Sequence, residues 1–104
     1  MKKLFAMLAL AGAALAVQAR EVLIDVRTPQ EYAQDHIAGA INIDHSLIGQ
    51  EIAAAKVAKD DTVLLYCRSG RRSAAAQETL KKMGFTRVEN YGGIDEARQR
   101  LGKR

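Results

Sequence analysis

The chain switches between two hydrophobic rhythms, and each switch marks an element. Val22-Leu23-Ile24-Asp25-Val26 is a short apolar run with the spacing of a strand. Thr28-Pro29-Gln30-Glu31 follows, with Thr as N-cap, Pro at the first helical position and Glu three residues on, a capping box that predicts a helix to about Gln34. Residues 40–43 read as a second short strand. Asp44 or Ser46 can cap a helix whose apolar stripe is Leu47, Ile48, Ile52 and Ala55. Asp60-Asp61 signals a turn. Residues 63–66 are continuously apolar, as in a central parallel strand covered on both faces. Residues 67–72 read as a loop. Residues 73–83 form a helix with Ala76, Leu80 and Met83 on its core face, Lys81-Lys82 at its C-terminal end and Gly84 as its stop. Residues 87–91 are a fourth strand. After Gly92-Gly93, the spacing of Ile94, Ala97 and Leu101 predicts a final helix closed by Gly102.

Strands alternating with helices predict an α/β fold: one domain, a parallel sheet of about four strands, helices on both faces. Ligands of such sheets bind at the carboxyl ends of strands. Cys67 stands at one of those ends.

The first nineteen residues follow a different rule. A basic start, Met1-Lys2-Lys3, precedes an unbroken run of apolar and small residues from Leu4 to Val17, and then Val17-Gln18-Ala19. This is the layout of a cleavable secretory signal peptide over residues 1–19, leaving a domain over 20–104. The apolar run is shorter than the ~20 residues a spanning helix needs, so export to the periplasm without stable membrane association is expected. Removing Lys2 and Lys3 from the 16 basic residues leaves 14 against 12 acidic ones, a net of +2. That balance, with no run of five like charges, argues against nucleic-acid binding. The chain has one cysteine. Exported proteins normally pair their cysteines, and this one has no internal partner. A lone exported cysteine is a bystander, a linker or a working thiol.

Its neighbours favour the working thiol. In Cys67-Arg68-Ser69-Gly70-Arg71-Arg72-Ser73 a strand ends, a tight loop turns and a helix begins. Gly70 can take φ > 0, which lets successive N–H groups curl into an anion nest. The helix N-terminus adds free donors, and Arg68, Arg71 and Arg72 add full charges. A thiol in that field titrates below its usual value. Cysteine phosphatases need Arg six positions after the Cys, and Ser73 stands there. A Cys–His hydrolase needs an imidazole base, and no cysteine-protease signature surrounds Cys67. Transfer of sulfane sulfur needs only a formed thiolate and a nest of donors for the persulfide. A sulfur carrier or redox-sensing protein would use the same features without efficient turnover.

The same loop resembles the active-site loop of rhodanese-type sulfurtransferases. Asp25-Val26-Arg27-Thr28-Pro29-Gln30-Glu31-Tyr32 with His36-Ile37-Ala38-Gly39-Ala40-Ile41-Asn42-Ile43 resembles that family's N-terminal signature, and Gly84-Phe85, Val88 and Gly92-Gly93 its C-terminal stretch. The chain is most similar to the small periplasmic single-domain members. The resemblance implies a twisted parallel sheet and a ping-pong reaction. Cys67 attacks the outer sulfur of thiosulfate, sulfite leaves, and the persulfide passes its sulfur to cyanide or a thiol. It implies that the loop amides of Arg68, Ser69, Gly70, Arg71 and Arg72 hold the persulfide, that Arg68, Arg71 and Arg72 attract the donor, and that no metal or organic cofactor takes part. Where family members often carry Trp, this chain has Ala97.

Asp25, Arg27 and Ser73 are read as structural support. His36 is expected to make a fixed hydrogen bond in its loop, and His45 to be a surface residue. Two scattered histidines and one cysteine lack metal-ligand spacing. A monomer is expected.

Overall fold

The computed structural model describes residues 19–102. The signal peptide expected over 1–19 lies, apart from Ala19, outside the described residues. Strand β1 (Glu21–Asp25) leads to helix α1 (Pro29–Gln34), β2 (Ile41–Asn42), α2 (Ile48–Glu51), β3 (Thr62–Cys67), α3 (Arg71–Lys82), β4 (Arg87–Gly93) and α4 (Ile94–Leu101). All pairings are parallel, in the order β2-β1-β3-β4. β3 is therefore a central strand, and Cys67 is its last residue.

Alternation along the strands builds two cores. Ile24, Val26, Val63, Leu65 and Cys67 point to one face and pack with Ile48 and Ile52 of the α2 region and with Ala76 and Leu80 of α3. Leu23, Leu64 and Tyr66 point to the other and pack with Ala97 of α4, bordered by Tyr32 of α1. Both faces of β3 are covered, which is why its sequence is apolar without a break. Cys67 shares its face with α3, so its sulfur lies beneath that helix's first turn.

Local sequence explains the ends of elements. At α1 the Thr28 hydroxyl accepts from Glu31 N at 3.2 Å, and the Glu31 carboxylate accepts from Thr28 N at 2.9 Å, completing the predicted capping box. Asp61 is buried. It accepts from Arg20 N at 2.9 Å and Ala58 N at 2.8 Å, so the expected turn also anchors the start of β1.

Three expectations change. Helix α3 begins at Arg71, not Ser73, because Gly70 at φ 97° reverses the chain within three residues of Cys67. Met83, expected on the core face, is the C-cap of α3 and is exposed. Leu47, expected in an apolar stripe, is an exposed N-cap residue. Only one turn of α2 forms, with a hydrogen-bonded turn region after it. Among the described residues no helix is long and apolar enough to cross a membrane.

Candidate active site

β3 ends in Cys67, which has no exposed surface. The chain then turns through Arg68 and Ser69 to Gly70. Gly70 approaches the Gly92-Gly93 pair of β4 so closely that a Cβ on Gly70 would sit 3.4 Å from Gly92 Cα. A Cβ on Gly93 would sit 2.3 Å from the Arg68 carbonyl oxygen, a distance no side chain tolerates. Gly93 thus lets the loop lie against β4.

The turn aims donors at the sulfur. Gly70 N–H donates to Cys67 Sγ at 3.0 Å and Ser73 N–H at 3.4 Å, while the Ser73 hydroxyl lies 3.4 Å away. Burial pushes the Cys67 thiol up. The Ser73 hydroxyl and the amides of Ser73, Ser69 and Gly70 outweigh it, so the thiol titrates below its ordinary value. The cradle meets the electrostatic requirement for a nucleophilic thiolate.

The three arginines differ in state. Arg68 is largely exposed at the loop's outer edge, and Arg71 is exposed in the first turn of α3. Arg72 is committed: its Nη1 and Nη2 donate to Glu31 Oε1 and Oε2 at 2.8 and 3.0 Å. That bidentate pair holds the Glu31 carboxyl down at about 2. Glu31 also lies 4.0 Å from Arg68. Sequence reasoning recognised Glu31 only as a capping residue. Its second role follows from α1 lying beside the loop, a tertiary fact without local signal.

Asp25 and Arg27, at the end of β1, form a buried pair. Asp25 accepts from Arg27 N and Nε at 2.9 Å each and from Nη2 at 2.7 Å. Arg27 also donates to the Asp35 carbonyl and sits 5.7 Å over the Tyr66 ring. The bond to Asp25 raises the Arg27 guanidinium further above its usual value. The pair does not touch Cys67, and supports the α1 loop instead.

Two open clefts flank the loop. One, about 350 Å³, is lined by Arg27, Glu31, Asp35, Arg68 and Asp95 among others. The other, about 430 Å³, is lined by His45, Ser69, Arg71, Arg72 and Ala75. His45 is therefore half-buried beside the loop, not merely on the surface. His36 makes the expected hydrogen bond, through Nδ1 to the Tyr32 carbonyl at 2.7 Å, and stacks on the Tyr32 ring. Asn90, which sequence reasoning passed over, ties β4 to the loop and to α3: its Nδ2 donates to the Gly70 carbonyl at 3.1 Å and its Oδ1 accepts from the Ser73 hydroxyl at 2.6 Å. Among the described residues no cluster of three or more potential metal-ligating side chains occurs.

A small parallel α/β domain carrying a donor-ringed cysteine at the end of a central strand has the parts that covalent group transfer requires. Comparison with known proteins gives the family: residues 10–99 match the rhodanese-like domain. The chain belongs to the rhodanese-like domain family and is a sulfurtransferase. It is 49% identical over 82 residues to the thiosulfate sulfurtransferase PspE of Escherichia coli, covering 79% of each chain. Among solved structures, a rhodanese with anions from E. coli matches with a TM-score of 0.70 at 49% identity, covering 73% of this chain and 89% of that one. The human single-domain sulfurtransferase TSTD1 matches with a TM-score of 0.65 at 27% identity over 92% of each.

Proposed function

We propose that this protein is a thiosulfate sulfurtransferase of the periplasm, exported by a signal peptide over residues 1–19 and acting as a monomer free of membrane and nucleic acid. The Cys67 thiolate attacks the sulfane sulfur of thiosulfate. The sulfur–sulfur bond of the donor breaks, and sulfite leaves with its electron pair. The new persulfide carries one negative charge on its outer sulfur. The amides of the loop from Arg68 to Arg72 hold that charge, beside the Gly70 and Ser73 amides that donate to the sulfur at rest. Cyanide or a thiolate then takes the outer sulfur and returns the Cys67 thiolate, which completes a ping-pong cycle.

The observation that carries this reading is the convergence of the Gly70 and Ser73 amides on a buried, depressed thiol. No general base is needed, and among the described residues none is hydrogen-bonded to the sulfur. Exposed Arg68 and Arg71 attract the dianionic donor, and Arg72 joins them once Glu31 yields it. Asp25, Arg27 and Ser73 support this loop and its neighbour. No cofactor enters the cycle.

Steady-state turnover of the mature domain with thiosulfate, using cyanide and then a small dithiol as acceptor, tests the proposal. Parallel-line double-reciprocal kinetics with either acceptor support it. A persulfide that forms but is not passed to either acceptor would assign the protein to the second class, a sulfur carrier or redox sensor that needs a protein partner.

A further inference from the structure

Ser73 has one hydroxyl proton and three acceptors within reach: Asn90 Oδ1 at 2.6 Å, the Gly70 carbonyl at 3.2 Å and Cys67 Sγ at 3.4 Å. The Gly70 carbonyl is already served by Asn90 Nδ2 at 3.1 Å and by Ala74 N at 3.1 Å. The orientation of the Asn90 amide is fixed independently of Ser73. Its Oδ1 must face Gly92 N–H, 2.8 Å away, because that donor needs an acceptor, and its NH2 must face the Gly70 carbonyl. Oδ1 therefore turns to Ser73 with an unfilled lone pair and makes the shortest bond of the cluster. While the Ser73 proton sits on Asn90, the Ser73 hydroxyl presents only its oxygen lone pairs to Cys67. The two amides at the sulfur are both donors, so an S–H proton has Ser73 Oγ as its acceptor.

We infer that Asn90 is a positioning residue that holds the Ser73 hydroxyl proton away from the resting Cys67 thiol and yields it when the sulfur becomes anionic. In the thiol form the chain of donation runs from Cys67 S–H to Ser73 Oγ, and from Ser73 O–H to Asn90 Oδ1. When the sulfur loses its proton to solvent, the hydroxyl rotates about the Ser73 Cβ–Oγ bond and donates to the sulfur, while Asn90 Oδ1 keeps Gly92 N–H. No covalent bond other than S–H changes. Asn90 thereby sets how much of the Ser73 donor is available to the thiolate and, afterwards, to the persulfide. This inference rests on Cys67 being the working thiol, and it sharpens the role of Ser73 from support to a switchable donor.

The test is ultraviolet titration of the Cys67 thiolate, which reads the sulfur whether or not thiosulfate is the donor. A mere strut would slacken the amide cradle when removed and raise the thiol. The proposal predicts the opposite sign. Asn90→Ala releases the Ser73 proton to the sulfur and lowers the Cys67 pKa by about half to one unit, the scale of one hydrogen bond. In a Ser73→Ala background the same substitution has no such effect. The titratable and charged groups around the loop are unchanged in these variants: Arg68, Arg71 and Arg72 on the loop and α3, Glu31 on α1, His45 after β2 and Glu96 on α4. Should Asn90→Ala fail to fold, Asn90→Asp serves. Its carboxylate grips the Ser73 proton more strongly, so it raises the thiol more with Ser73 present than with Ser73→Ala. A rise in Asn90→Ala, or shifts in either variant that are the same with and without the Ser73 hydroxyl, overturn the inference.

Discussion

At the carboxyl end of β1, Asp25 and Arg27 bury opposite charges that cancel, with Arg27 N, Nε and Nη2 all bonded. At the carboxyl end of the neighbouring strand β3, Cys67 is buried just as fully, yet donors converge on it with no charged side chain bonded to it among the described residues. The two sites share depth, sheet end and distance from solvent. They differ in whether the charge balance is closed. A closed balance contributes order, and an open one is a place where an anion can form. Position at the strand ends is thus not sufficient for reactivity, and the surplus of donors at Cys67 is the distinguishing quantity.

The largest effect expected on breaking this contrast is at the closed site. Arg27→Ala leaves the Asp25 carboxylate buried and unpaired, and should cost about 3–5 kcal/mol in denaturant unfolding. In a domain this small that approaches the whole margin of stability. Removing both charges, as in Asp25→Leu with Arg27→Met, should cost less than the single change, because no uncompensated charge remains.

The next effect is at the open site. Gly93→Ala drives a methyl group into the Arg68 carbonyl and displaces the loop. We expect kcat/KM to fall about 100-fold, the scale of a misplaced reacting group, with the fold retained by circular dichroism. An unchanged rate would show that the loop does not need its contact with β4.

The pH profile follows from the lowered Cys67 thiol. Only the thiolate attacks, so kcat/KM should rise with pH and reach its plateau below the range of an ordinary cysteine. A midpoint at or above the ordinary thiol value would mean that burial, not the donor ring, dominates.

The smallest effect is at Glu31. Glu31→Gln keeps the helix cap but releases Arg72 and Arg68 to the donor anion. KM for thiosulfate should fall a few-fold, about 1 kcal/mol or less for a partly exposed pair, and should become more sensitive to salt. Glu31 also makes a stability statement with a definite sign. Its folded carboxyl lies at about 2, against an ordinary 4.5. Its contribution is therefore complete above about pH 5 and is lost as pH falls from about 4.5 to about 2. Unfolding free energies measured across that window should slope in the wild type and be flatter in Glu31→Gln.

Much of this was readable before the fold was seen. The capping box at Thr28, the unbroken apolar run of β3 and the glycine after Cys67 each carry a local physical signal, and each produced its element. Helix α3 starts two residues before the position its sequence pattern predicts, because a left-handed glycine closes the turn sooner than composition suggests. Met83 and Leu47 have core-like chemistry but sit where their helices end, and periodicity does not see ends. At the site, Cys67 and Gly70 carry a local signal, while Ser73, expected only as support, also donates its amide to the sulfur. Glu31 and Asn90 reach the loop from other elements, 41 and 17 residues away from Arg72 and Ser73 respectively. Only packing reveals them, and nothing in the spacing of polar residues points there.

The central claim is that Cys67 is a nucleophile that takes up sulfane sulfur, and intact-protein mass spectrometry of the reduced mature domain tests it most directly. After thiosulfate the wild type should gain the mass of one sulfur atom and lose it on addition of cyanide, while Cys67→Ser does neither. A folded, reduced wild type that acquires no sulfur, or a Cys67→Ser variant that does, would contradict the account.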